Sequence, residues 1–141
     1  MQLNVCLQLS RLLRLGLGGC CLTAAVAHAQ PMLRCEVTYA GTTHVIQATP
    51  TTEPYAVEPV DIAERFLFKV VLSTTGKQLD HALIYVYLQQ TPRPVLLQQA
   101  KYFGPFKSSK QAYLLTGEQH VYGGPIEREL IYQCWLSGIK P

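Results

Sequence analysis

Beyond residue 29 the chain offers few side chains able to do chemistry, and they are scattered. Its serines are Ser73, Ser108, Ser109 and Ser137, and none stands in a G-x-S-x-G elbow. His44, His81 and His120, with Asp61 and Asp80, are the residue types a nucleophilic triad needs, but no spacing ties them together. Glu118-x-His120 is more pointed. On a strand, residues two apart share a face, so this pair sets two metal-ligating types side by side. Asp80-His81 and His44 are the residues that could join them from elsewhere in the chain. A structural zinc site shows Cys or His in tight pairs, and the chain has none. The expectation is therefore no metal, no cofactor and no catalytic residue. A small metal-dependent or hydrolytic enzyme using His81, Glu118 and His120 is the alternative.

Two further groups carry charge. Glu127 and Glu129 share a strand face, which suits a wet outer surface or pairing with basic residues better than glycosidase chemistry. Arg128 falls in phase with Leu130 and Tyr132, so it points inward and calls for a carboxylate such as Glu36, Glu64 or Asp61. The best surface candidate is aromatic. Tyr102, Phe103 and Phe106 surround Gly104-Pro105, and Lys107 and Lys110 follow. Loops on rigid sheets are where binding concentrates, and aromatic anchors rimmed by charge are the usual hot spots. Tyr102, Phe103, Phe106, Lys107 and Lys110 are the expected binding residues.

The elements that must position these groups read as strands. Leu33, Cys35, Val37 and Tyr39 alternate with polar residues, and Ala40-Gly41 turns into a second strand near Thr43 to Ala48. Pro50, Pro54 and Pro59 make Thr49 to Pro59 an irregular loop or ragged edge, because proline lacks a ladder N–H. Asp61 to Glu64 reads as a helical turn or a lead-in. Phe66, Phe68, Val70 and Leu72 mark one face of a long strand. Ala82 to Leu88 is apolar on both faces and reads as central; Tyr85-x-Tyr87 within it suits core or half-buried sheet. Val95 to Tyr102, two short strands about Gly117-Glu118, and Arg128 to Leu136 complete the series. The spacing predicts an all-β fold. It is an antiparallel β-sandwich or small barrel of about seven to eight strands.

The cysteines bound both compartment and closure. Cys6, Cys20 and Cys21 lie in an N-terminal stretch with Arg11 and Arg14, an apolar run from Leu15 to Val26, and Ala27-His28-Ala29. That is the layout of a cleaved export signal, residues 1–29, followed by a single β domain, residues 30–141. Leu17-Gly18-Gly19-Cys20 resembles a lipoprotein box, but Cys20 stands too close to Arg14 to leave an apolar region before the cut. The run is also short of the roughly 20 residues a spanning helix needs, and no later segment is longer. Cys35 and Cys134 remain. In an oxidising compartment they form a disulfide joining the first and last strands, worth up to about 4–5 kcal/mol by loop closure.

Charge excludes one class of partner. Twelve Lys and Arg, two of them in the signal, face nine Asp and Glu, and no basic stripe accompanies them. Nucleic acid binding is not expected. The functional expectation is an exported, non-enzymatic binding or interaction module, periplasmic or secreted. Its partner would be a protein or cell-envelope ligand, and the module an inhibitor or an accessory subunit of an envelope assembly.

Overall fold

The computed structural model describes residues 30–140. The proposed export signal, Met1 to Ala29, lies outside the described residues. The described residues form ten strands: β1 (Met32–Tyr39), β2 (Thr42–Ala48), β3 (Pro50–Thr51), β4 (Val60–Ile62), β5 (Phe66–Thr75), β6 (Gln78–Leu88), β7 (Val95–Phe103), β8 (Tyr113–Leu114), β9 (Gln119–Gly123) and β10 (Arg128–Ser137). They form two sheets. One runs β2-β1-β10, with β8 and β9 sharing the far side of β10. The other runs β5-β6-β7, with β3 and β4 sharing the near side of β5.

The period-two alternation builds the core directly. Leu33, Cys35 and Val37 on β1, with Leu130, Tyr132, Cys134 and Leu136 on β10, face Phe66, Phe68, Val70 and Leu72 on β5. Ala82, Ile84, Val86 and Leu88 of β6 complete the layer. Burying one such large side chain stabilises by about 1.5–3 kcal/mol. Tyr132 lies deepest of the polar-tipped residues, edge-on to Phe68 with ring centroids 5.1 Å apart. Its hydroxyl donates to Gln98 Oε1 at 2.9 Å, which satisfies the one polar atom it carries inward. Burial pushes its phenol well above the usual tyrosine range.

The expected disulfide is present and lies within one sheet. Cys35 and Cys134 stand directly opposite in the antiparallel β1–β10 ladder, with Cα atoms 4.0 Å apart. The chain's first and last strands are thus neighbours, bonded across eight register pairs.

Two local readings are corrected. The two short strands β3 and β4 raise the strand count above seven or eight, and β3 pairs with β5 in parallel. Asp61 to Glu64 is not helical: Val60–Ile62 is a strand, and Ala63 and Glu64 turn the chain at φ 52° and 55°. Left-handed backbone costs non-glycine residues energy. Asp61 Oδ1 offsets part of that by accepting the Glu64 N–H at 2.8 Å.

Candidate functional site

The predicted binding segment divides at Gly104. Up to Phe103 the chain is β7, a strand whose alternate residues face opposite ways. Ala100 and Tyr102 lean on the core, whereas Lys101 and Phe103 stand on the outer face. Phe103 is 68% exposed. Its ring receives the Lys101 ammonium at 4.7 Å and lies 6.4 Å from the His81 imidazole across the β6–β7 ladder. His81 is fixed in turn, its Nδ1 2.8 Å from Asp80 Oδ2.

After Phe103 the chain turns sharply against β6. The Gly104 N–H donates to the Asp80 carbonyl at 2.8 Å. A side chain here would put its Cβ 3.2 Å from the Leu79 carbonyl oxygen, so glycine is what allows the close approach. Phe106 then folds back and packs on the core, lining a cleft with Leu79 and Ile139. The cleft measures about 760 Å³, and Lys77 and Lys140 also line it. The five expected binding residues therefore separate. Phe103, Lys107 and Lys110 are exposed, and Tyr102 and Phe106 are half-buried supports.

Of the residues of the alternative enzyme reading, Glu118 and His120 meet but His81 stands apart from them. His81 lies on the outer face of the β5-β6-β7 sheet, and His120 and Glu118 lie on the outer face of the other. Among the described residues no group of three or more His, Cys, Asp or Glu is placed to hold a metal ion.

His120 has acquired a different setting. Its Nδ1 lies 2.6 Å from Glu129 Oε1 and its Nε2 lies 3.1 Å from Glu118 Oε1. Both ring nitrogens face carboxylate oxygens, so the arrangement is complete only when both carry protons. The hydrogen bond to Glu129, then the one to Glu118, hold the imidazole above its ordinary value. Glu129 is lowered in return, first by the Tyr122 hydroxyl, which donates at 2.6 Å, and then by His120. Gln133 Nε2 donates to Glu118 Oε2 at 3.1 Å. The cluster is an exposed polar network on a sheet surface.

Arg128 also departs from expectation. It points inward as its phase requires, but its Nη1 donates to the Tyr39 hydroxyl at 3.2 Å, with no carboxylate in the contact. Of the carboxylates offered for it, Glu36 pairs with Arg34 at 2.8 Å and Asp61 accepts the Glu64 N–H at 2.8 Å. Tyr85 and Tyr87 form a stacked pair on the half-buried outer face of β6.

Ser137 and Lys140 stand at S-x-x-K separation. The signal carries no site here, because Ser137 lies on a strand with its hydroxyl donating to the Met32 carbonyl at 3.4 Å. No protein-family model, no curated protein and no solved structure matches this chain.

Proposed function

We propose that this chain is an exported, non-enzymatic binding module of the periplasm or cell envelope. It engages a protein or envelope ligand through the outer end of β7 and the loop that follows. The observation that carries this reading is Phe103, a large ring 68% exposed on a sheet whose inner face is fully packed. A rigid strand presents it at low entropic cost, which is what a binding anchor requires. Lys101 over its ring, with Lys107 and Lys110 beyond, supplies a basic rim that favours a partner with acidic groups. The disulfide is compatible with an oxidising compartment, and among the described residues no helix is long and apolar enough to cross a membrane.

The test is site-specific photocrosslinking in cells that export the protein. A photoreactive phenylalanine at position 103 is expected to give a discrete adduct. The same group at Tyr55, which is 95% exposed on the far edge, is expected to give none. Equal labelling at both positions, or none at 103, would remove Phe103 as the anchor.

A further inference from the structure

Four strand stretches form the open sides of the two sheets, and three of them are blunted. The β3/β4 side is broken into pieces of two and three residues that contain Pro50 and Asp61. The β8/β9 side is similarly broken. The long edge strand β7 carries a register shift opposite Val86/Tyr87 and the charge of Lys101. Interrupted, bulged or charged edges resist pairing with another chain. The fourth, β2, has none of these devices. It reads Thr-Thr-His-Val-Ile-Gln-Ala over seven residues, with no Lys, Arg, Asp, Glu, Pro or Gly. Its register against β1 is unbroken through all seven pairs.

The hydrogen-bond phase of that edge follows from the disulfide pair. Cys134 directs its N–H to Thr116 Oγ1 at 3.0 Å, and its carbonyl accepts the Leu115 N–H at 2.8 Å. Both groups therefore point away from β1, and Cys35–Cys134 is a non-hydrogen-bonded pair, as its short Cα separation of 4.0 Å also requires. Cys35 must then direct its own N–H and carbonyl toward Ile46 on β2. Counting by twos, Thr42, His44, Ile46 and Ala48 bond to β1. Thr43, Val45 and Gln47 point their N–H and carbonyl groups outward. Val45 sits at the centre of these three, with its side chain 52% exposed.

We propose that two copies of this chain pair antiparallel through β2, with Val45 on the twofold axis. The symmetry and the bonding phase agree. Val45 meets Val45 of the second copy, and Thr43 meets Gln47, each as a hydrogen-bonded pair. All three outward N–H groups and all three outward carbonyls on each copy gain a partner. No like charges face one another, because the nearest charged side chains, Arg34 and Glu36 on β1, already pair at 2.8 Å. That neutrality selects a second copy over an acidic or basic peptide, which would find no counter-charge along β2. The pairing joins the two β2-edged sheets into one continuous sheet.

The test is sedimentation and light scattering on the exported protein, from about 1 μM to about 1 mM, a range that spans affinities for a strand-paired dimer. A concentration-dependent shift to twice the monomer mass is expected. Val45→Pro removes an outward N–H without touching the β1–β2 ladder, and Val45→Lys places two ammonium groups together at the axis. Both are expected to be monomeric over the whole range, and Val45→Thr is expected to keep the dimer. An intact Cys35–Cys134 bond and unchanged circular dichroism establish folding. If Val45→Pro fails that check, Val45→Lys decides. Mixing Thr43→Cys with Gln47→Cys is expected to crosslink in this register. A wild-type protein monomeric at the top concentration overturns the proposal. So does a dimer that survives both disruptive substitutions, or a Thr43→Cys and Gln47→Cys mixture that fails to crosslink.

Discussion

Removing the Cys35–Cys134 bond should cost this domain a large share of its stability, and the size of the loss can be worked out. The bond closes a sequence separation of 99 residues. Chain-entropy reasoning assigns a loop of that length about 4.7 kcal/mol at 25 °C. Total stabilities of small domains are about 5–15 kcal/mol. For a domain near this size, each kcal/mol moves the melting temperature by roughly 4–5 °C, so reduction should lower it by roughly 15–25 °C. The form of the perturbation matters. Both cysteines are fully buried on the core face. A Cys35→Ala, Cys134→Ala variant thus loses packing as well as the crosslink, adding roughly 1–2 kcal/mol for the deleted sulfurs. Reduced wild-type protein keeps its sulfurs and isolates the crosslink. Urea unfolding of oxidised, reduced and double-alanine proteins, followed by circular dichroism, should rank them in that order of stability. A reduced protein within about 1 kcal/mol of the oxidised one would refute the closure argument. It would mean that the eight-pair β1–β10 ladder already holds the ends together in the unfolded ensemble.

Three more expectations follow from particular contacts. Tyr132→Phe leaves Gln98 Oε1 without its buried donor and should destabilise by about 1–3 kcal/mol, read from urea midpoints. Phe106→Ala should cost about 1–3 kcal/mol because the ring packs on the core, whereas Phe103→Ala should stay within about 0.5 kcal/mol. A reversed order would overturn the inward and outward assignment. The His120 imidazole should titrate above the ordinary histidine value in an NMR pH series, and Glu129→Gln should bring it down. The sign of the linkage follows. The raised imidazole contributes stability below its unfolded value and loses it as pH rises through the folded one. The lowered Glu129 contributes above its unfolded value and loses it as pH falls through the folded one. The pair therefore supports the fold only between those limits, and weakly, because it is exposed.

The sheets were legible wherever a run was long enough to show alternation. Phe66 to Leu72 and Ala82 to Leu88 put the expected residues inward because a strand has only two faces. Residues of two- and three-residue strands cannot display a period, so Pro50–Thr51 and Val60–Ile62 read as loop and turn, whereas Tyr113–Leu114 falls within the first of the two short strands expected about Gly117-Glu118. The candidate binding residues were legible by type more than by orientation. Strand phase alone could have separated Phe103 from Tyr102, since Ala100 and Tyr102 share the core face. That Phe106 folds inward depends on the core it packs against and on the cleft it lines with Leu79 and Ile139, all remote in sequence. The partner of Arg128 was hidden for a similar reason. Tyr39 lies 89 positions away, and strand phase says only that Arg128 points inward, not which group it meets there. The His120 network needed the β9–β10 register, which sets His120 opposite Ile131 and Tyr122 opposite Glu129.

The packing of Gln30 against Gly138 has a practical bearing on how this molecule can be held. A side chain at Gly138 would place its Cβ 2.3 Å from the Gln30 carbonyl oxygen, so the two stretches leave the sheet in contact. Ile139 then bridges to Ser109, in the loop between β7 and β8. Any tether added before Gln30 or after Ile139 departs beside the Phe106 cleft and crowds the surface proposed to bind. The Ala40–Gly41 turn lies at the opposite end of β1, where both residues are exposed. A label or immobilising tag inserted there would leave the Phe103 end of the domain facing outward.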